Sequence, residues 1–229
     1  MSAPALVPPP AAGPGGGRGA DEHVLRDGMR MNRPEFHRRY ERICEADPGF
    51  RAELIGGVVH LREPMSAGNP HATFCDLVTG WLWEYRKRTP GVKGATAPTV
   101  QLDDLGEPEP DAVLRRAEGP AAAGFLEGPQ ELVVEVSDAT LRKDLGAKFR
   151  DYQRAGVPEY LVVDLPNRRV HWFVRDAAGA FGRLAPDADG LHKSREFPGL
   201  WLDPAALFAE DPAGIEAAVA AGVAARGAA

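Results

Sequence analysis

The sequence predicts an α/β domain, a mixed central sheet flanked by helices with an added antiparallel portion. Three observations carry this. The stretch from Gln130 to Asp164 parses as strand, turn, helix, turn, strand, a crossover unit. Within it Leu132–Val136 is apolar and β-branched with no polar/apolar alternation, as a strand covered on both faces requires. Beyond Asp164 the runs V-H-W-F-V-R, D-A-A-G-A-F-G-R-L and G-L-H-K-S-R-E-F are bounded by Gly, Asp or Asn, the punctuation of strands that extend a sheet or form its antiparallel end.

A chain of 229 residues that is 44% hydrophobic suits one domain with a sizeable core plus tails. The expected division is a disordered Pro/Gly/Ala-rich tail at 1–28, the folded domain at 29–209, and an Ala-rich tail or frayed helix at 210–229. The formal net charge of −6 argues against an extensive basic surface while leaving room for a local basic patch. Cys44 and Cys75 form neither a disulfide framework nor a metal-ligand spacing, which suits a reducing cytoplasm. With no signal-peptide pattern and no run approaching about 20 apolar residues, no membrane partner is expected. A glycine-rich phosphate loop, a G-x-S-x-G elbow and a zinc pattern are all absent from the sequence.

Arg33–Ala46 reads as the first helix, with Pro34 near N1 and Phe36, Tyr40, Ile43 and Cys44 on one side. Phe50–Leu61 reads as a hairpin turned by Gly56-Gly57, with Glu53 in its first strand, where a cross-strand ion pair is the structural explanation. Asn69-Pro70-His71 opens the longest helix, whose core stripe is Phe74, Leu77, Val78, Trp81, Leu82 and Tyr85. Arg86, Lys87 and Arg88 suit its C-terminal dipole and offer a phosphate contact. Residues 95–102 read as one strand, Asp103–Glu109 as an acidic turn, and Glu109–Leu114 as a short strand with Asp111 and Val113 on one face. Arg115–Pro129 reads as a loop or mobile flap.

The helix after Leu132–Val136 has turn and cap residues Ser137, Asp138 and Thr140 and closes at Gly156. Leu145, Phe149 and Tyr152 form its core stripe. At about 100° per residue Lys148 lies only about 60° from Leu145, whereas Lys143, Arg150 and Arg154 point roughly away. Leu200–Phe208 is an apolar closing segment.

A carboxylate in a buried strand is costly unless paired, coordinated or protonated, so Glu135 needs a partner. The bland alternative for Lys148 is a surface pair with Asp144 worth roughly 0.2–0.5 kcal/mol. Taken together, Asp111 after a proline, Glu135 and Lys148 are the parts of a magnesium phosphodiesterase site. Mg²⁺ takes one or two carboxylates plus waters and a phosphate oxygen, and a lysine can orient or deprotonate the water or stabilise developing charge.

The pattern Pro110-Asp111, Glu135-Val136-Ser137, then Lys148 resembles the PD-(D/E)xK nuclease superfamily, in the variant whose lysine has moved to the next helix. More narrowly, the run from Glu131 to Asp164, the E-L-I-G-G-V-V-H of Glu53–His60 and the helix-opening His71 look like the Uma-two family of restriction endonucleases. That resemblance implies a restriction-endonuclease-like fold and a metal-dependent endonuclease acting on phosphodiester bonds in DNA, as a homodimer. It implies Mg²⁺ (or Mn²⁺) held by Asp111, Glu135 and Val136, catalysis by Asp111, Glu135 and Lys148, and accessory roles for Glu53 and His71. Two departures stand out: Ser137 fills the third triplet position, and Gly56 stands where the family commonly has aspartate. The alternatives are a non-catalytic binding or regulatory protein on the nuclease fold and a metal enzyme for small phosphates or nucleotides. On the leading reading, Glu135→Ala or Lys148→Ala leaves the fold largely intact and abolishes cleavage.

Overall fold

The structure, a computed structural model, describes residues 24–62, 70–117, 121–122 and 125–227. Most of the expected N-terminal tail, Asn69 at the helix opening and part of the expected flap lie outside the described residues.

Helix α1 (Arg33–Ala46) starts where the Asn32 side chain accepts the Glu35 N–H at 3.0 Å, with Pro34 in the first turn. Its buried Phe36 and Tyr40 pack with Ala52, Leu54 and Val59 of the hairpin β1 (Ala52–Ile55) and β2 (Val58–Leu61). Gly56 and Gly57 make the turn at φ +58° and +74°, which only glycine adopts without strain. Leu25 is buried in the same cluster and the Gly28 N–H donates to the Val59 carbonyl at 2.9 Å. Residues 24–28, expected as disordered tail, are therefore fastened to the hairpin by Leu25, by the Gly28 N–H and by Asp27, whose carboxylate accepts the Leu61 N–H at 3.1 Å.

Helix α2 (Pro70–Lys87) buries Phe74, Val78, Trp81, Leu82 and Tyr85. The expected strand 95–102 is two strands, β3 (Val92–Thr96) and β4 (Val100–Gln101). The break comes at Ala97, whose φ is +46°, and at Pro98, which has no N–H to donate. Strand β5 (Ala112–Arg116) pairs with β3, while β4 pairs with β7 (Phe125–Glu127), which also pairs with β6 (Ala121–Ala122). The intervening acidic turn is not solvated throughout: Glu107 and Glu109 are buried, held by His37 at 2.8 Å and by the Tyr40 hydroxyl at 2.9 Å, both from α1.

Strand β8 (Leu132–Ser137) is buried along its whole length and leads into α3 (Leu141–Lys143), a π-helical turn (Asp144–Lys148) and α4 (Phe149–Ala155). Gly156 ends this helix at φ +88°. Ser137 and Thr140 do not cap it: both hydroxyls donate to Asp144 Oδ2 at 2.6 Å. Strands β9 (Glu159–Asp164), β10 (Arg169–Arg175) and β11 (Phe181–Leu184) complete a six-stranded sheet of order β11-β10-β9-β8-β5-β3, in which only β8 and β9 are parallel. Leu132, Val134 and Val136 face a core shared with α2; Val133 faces the other way, toward Tyr152 and Tyr160. Alternation puts Glu135 on that second side.

Strands β12 (His192–Lys193) and β13 (Trp201–Leu202) form a separate ribbon before α5 (Pro204–Phe208) and α6 (Pro212–Gly227). The Ala-rich segment expected as a tail or frayed helix forms α6, which buries Ile215, Ala218, Val219 and Gly222. Its small residues permit close approach: a Cβ added at Gly222 would stand 2.3 Å from the Gly199 carbonyl oxygen. Gly222→Ala is therefore expected to destabilise the fold by about 1–3 kcal/mol. A urea titration checks this, and an unchanged midpoint would mean that α6 is not held in this contact.

Candidate active site

The antiparallel ladder between β5 and β8 ends at Ala112↔Val134. One residue on, at the bend before β5, the Asp111 side chain takes over the ladder's work: its Oδ2 accepts the Val136 N–H at 2.7 Å. The N–H and C=O of one strand residue point the same way, so the Val136 carbonyl faces this end too. His71, in the first turn of α2, meets both groups. Its Nε2 lies 3.4 Å from Asp111 Oδ2, and the ring also donates to the Val136 carbonyl. The bond to Asp111 raises the imidazole pKa against the effect of burial. Asp111 itself is raised by burial but lowered more by His71, Lys148 and the Val136 N–H, so it lies below the usual carboxylate range.

Glu135, on β8, has both of its described bonds at Oε1, from Lys148 Nζ at 2.8 Å and the Tyr152 hydroxyl at 2.8 Å. Lys148 Nζ is also 2.7 Å from Glu53 Oε1, and its side chain is 3% exposed. Lys148 is thus clamped between two buried carboxylates and does not lie along the surface with Asp144. Burial disfavours its ammonium, but Glu135, Glu53 and Asp144 outweigh that and raise its pKa. Glu53 also accepts the Glu109 N–H at 3.0 Å and Lys143 Nζ at 3.1 Å. Burial raises Glu53, yet Lys148, Lys143 and Arg62 bring it down to about 2. Burial pushes Glu135 up to about 8 despite Lys148, because Asp144, Asp111 and Glu53 repel its charge. Glu53 stands opposite His60 in the hairpin register, but its charge partners are these lysines, so no cross-strand ion pair explains it.

Lys143 corrects the helical-wheel expectation. The π-helical turn after it has i→i+5 spacing, so a steady 100° per residue does not hold across Asp144–Lys148, and both lysines reach Glu53. Sequence reasoning also missed Arg62, just past β2. Its NH1 donates to the Glu109 carbonyl at 3.1 Å, while Glu109 Oε2 lies at 3.4 Å and Asp111 Oδ1 lies 3.9 Å from NH2. No local pattern marks it. Tyr152 was legible only as a core residue; its hydroxyl chemistry shows once β8 is beside it. The Arg86–Arg88 cluster is partly committed to acids, with Lys87 and Arg88 paired to Glu84 and Arg88 also to Glu216.

Of the sequence-derived set, the structure brings Glu53, Glu135 and Lys148 into direct contact, and Asp111, His71 and Val136 likewise. Arg62 feels the charge of Glu53, Glu135, Asp111 and Glu109 together, which makes one electrostatic centre of the two groups. Asp111 and Glu135 carboxylates with the Val136 carbonyl are hard oxygen donors, the set that suits Mg²⁺ or Mn²⁺. Among the described residues, ligand atoms of His71, Cys75 and Asp111 also lie within 4.8 Å of one another. Burial raises the Cys75 pKa and keeps it a thiol, however, and the thiolate is the metal-binding form.

A family model described as "Uma2: Putative restriction endonuclease" matches residues 35–205. Among solved structures, one described as a "putative nuclease belonging to DUF820" from Anabaena variabilis is similar with a TM-score of 0.57 at 13% identity. The match covers 69% of this chain and 89% of that chain, and at this identity it shows the fold alone. No curated protein matches.

Proposed function

The chain belongs to the Uma2 family of restriction-endonuclease-like proteins, and from that membership we propose that it is a metal-dependent endonuclease hydrolysing phosphodiester bonds in DNA. The observation that supports this reading is the buried Glu135, bonded to Lys148 of the following helix and within reach of the charge of Asp111, which accepts the N–H of the next strand residue, Val136.

Asp111, Glu135 and the Val136 carbonyl would hold Mg²⁺ or Mn²⁺. When bound, the ion supplies Lewis-acid neutralisation of phosphate charge and acidifies a water. The chain's own groups do the rest. Lys148, held as an ammonium between Glu53 and Glu135, cannot accept a proton; it fixes Glu135 and balances its charge. Tyr152 holds the same oxygen, which leaves Glu135 Oε2 to a further ligand. His71 orients Asp111, and Glu109 braces Glu53 through its N–H. The working unit is a homodimer, whose two-fold symmetry suits cutting both strands of a duplex. Its free Cys44 and Cys75 suit a reducing cytoplasm. No helix among the described residues is long and apolar enough to cross a membrane.

The test is conversion of supercoiled plasmid by purified protein in Mg²⁺, Mn²⁺ or EDTA, with cutting expected only in metal. A folded protein that binds DNA without cutting it in any metal would favour the non-catalytic nuclease-fold protein, to which the net charge of −6 and the clamped Lys148 also point. Turnover of nucleotides but not polymer would identify the small-phosphate enzyme.

A pH dependence follows. Metal binds the ionised carboxylate, and burial holds Glu135 up at about 8, so protons compete with metal below that pH. Affinity is expected to fall as pH falls, by up to about tenfold per unit. Titrations of cleavage against Mn²⁺ at pH 6.5 and 8.5 check this; equal midpoints would contradict it.

A further inference from the structure

We propose that Arg62 is the residue that meets the scissile phosphodiester, released to it from Glu109 and Asp111 when the centre is loaded. The inference rests on the nuclease reading above.

The cations at the centre differ in freedom. Lys148 is 3% exposed and sits within 2.8 Å of two buried carboxylates, so reaching a phosphate would break both pairs. Lys143 is 22% exposed, but its Nζ is held by the fully buried Glu53 at 3.1 Å. Arg62 is 25% exposed and its carboxylate contacts are loose, 3.4 Å to Glu109 and 3.9 Å to Asp111. Its closest described bond, at 3.1 Å, is to a backbone carbonyl. A guanidinium carries five donors in a planar fork that matches phosphate, and among the described residues these contacts leave much of that fork unused.

Charge supplies the release. Glu53, Glu109, Asp111 and Glu135 surround Arg62, with Lys148 and Lys143 as the other fixed cations. A divalent ion on Asp111 and Glu135 cancels the negative excess that these fixed charges hold around Arg62. Asp111 is then a poorer partner for Arg62 and an arriving anion a better one.

The rival role is a strut, with Arg62 merely holding the Glu109 carbonyl and so the bend that carries Asp111. Two variants separate the roles: Arg62→Gln keeps a donor for that carbonyl and removes the charge, and Arg62→Lys keeps the charge and removes the fork. Calorimetry with Mn²⁺ alone reads the metal site, and anisotropy of a labelled duplex in Ca²⁺ across a salt series reads the substrate contact. We expect Arg62→Gln to bind Mn²⁺ at least as tightly as wild type. Its duplex affinity should fall about tenfold, and its slope of log K against log salt should drop by about one. Arg62→Lys should restore the slope but recover only part of the cleavage rate. Loss of Mn²⁺ affinity in Arg62→Gln, or a duplex affinity and slope unchanged from wild type, overturns the proposal. Should Arg62→Gln not fold, a wild-type cleavage rate in Arg62→Lys overturns it as well. Failure of the wild type to bind or cut the duplex would instead overturn the nuclease reading on which the inference stands, and the wild-type control shows this directly.

Discussion

Lys148→Met is expected to destabilise the fold by about 3–5 kcal/mol, because it removes the cation shared by two buried carboxylates and leaves Glu53 with Lys143 and Glu135 with only the Tyr152 hydroxyl. The sequence alone suggested that removing this lysine would spare the fold. That expectation assumed a side chain at the edge of a helix stripe, whereas Nζ lies 2.7 Å from Glu53 and 2.8 Å from Glu135 with both acids buried. The loss should be reversible in two ways. Glu53→Gln in the same chain removes the repulsion between Glu53 and Glu135 that Lys148 had screened, so the double variant should be more stable than Lys148→Met alone. Mn²⁺ should also raise the melting temperature of Lys148→Met more than that of wild type, since bound cation stabilises the native state and replaces the missing charge. Thermal melts with and without metal test both statements, and a Lys148→Met protein that melts with the wild type would show that the clamp carries no stability.

Glu135→Gln is expected to do the opposite, sparing the fold and removing the chemistry. Glutamine keeps the shape, its carbonyl can still accept from Tyr152, and Lys148 retains Glu53. What disappears is the anionic oxygen that would hold metal. Cleavage should fall by at least about 10²–10³-fold, with Mn²⁺ affinity falling in parallel. Plasmid cleavage beside a calorimetric titration measures the two together. Cutting at the wild-type rate would remove Glu135 from the centre and leave Asp111 and His71 as the place to look.

The two variants also show how the site is assembled. On the proposed reading Glu135 is the residue that the chemistry uses, and Lys148 and Tyr152 hold one of its oxygens. Arg62 is more exposed and more loosely held than Lys148, which is why the proposal offers it, and not the lysine, to the substrate.

Much of this was legible locally. The β-branched run of Leu132–Val136, the glycine at 156 and the Gly56-Gly57 turn each encode their element through steric rules acting over a few residues, and the structure forms a strand, a helix end and a hairpin there. A glutamate in a run that buries itself signals a partner before any fold is known, and an approximate helical wheel was enough to turn Lys148 toward it. Other features lie beyond local rules. The 95–102 segment breaks because Ala97 takes a left-handed backbone conformation, and its halves find different partner strands. Lys143 turns inward because a π-helical turn resets the phase of the wheel. Glu107 and Glu109, acids in a turn-like stretch, are buried because α1 brings His37 and Tyr40 to them. Arg62 has no sequence signal, and Glu53 meets Lys143 across 90 residues of chain. The sequence by itself determined the strand–helix–strand unit and the need of Glu135 for a partner, whether a cation, a metal or a proton, since backbone sterics and the cost of a buried charge act wherever the chain goes. Only the tertiary structure decided which cations answer that need and which one stays loose, because Coulomb energy depends on distance through space and solvent exposure, and neither is written in the spacing of residues along the chain.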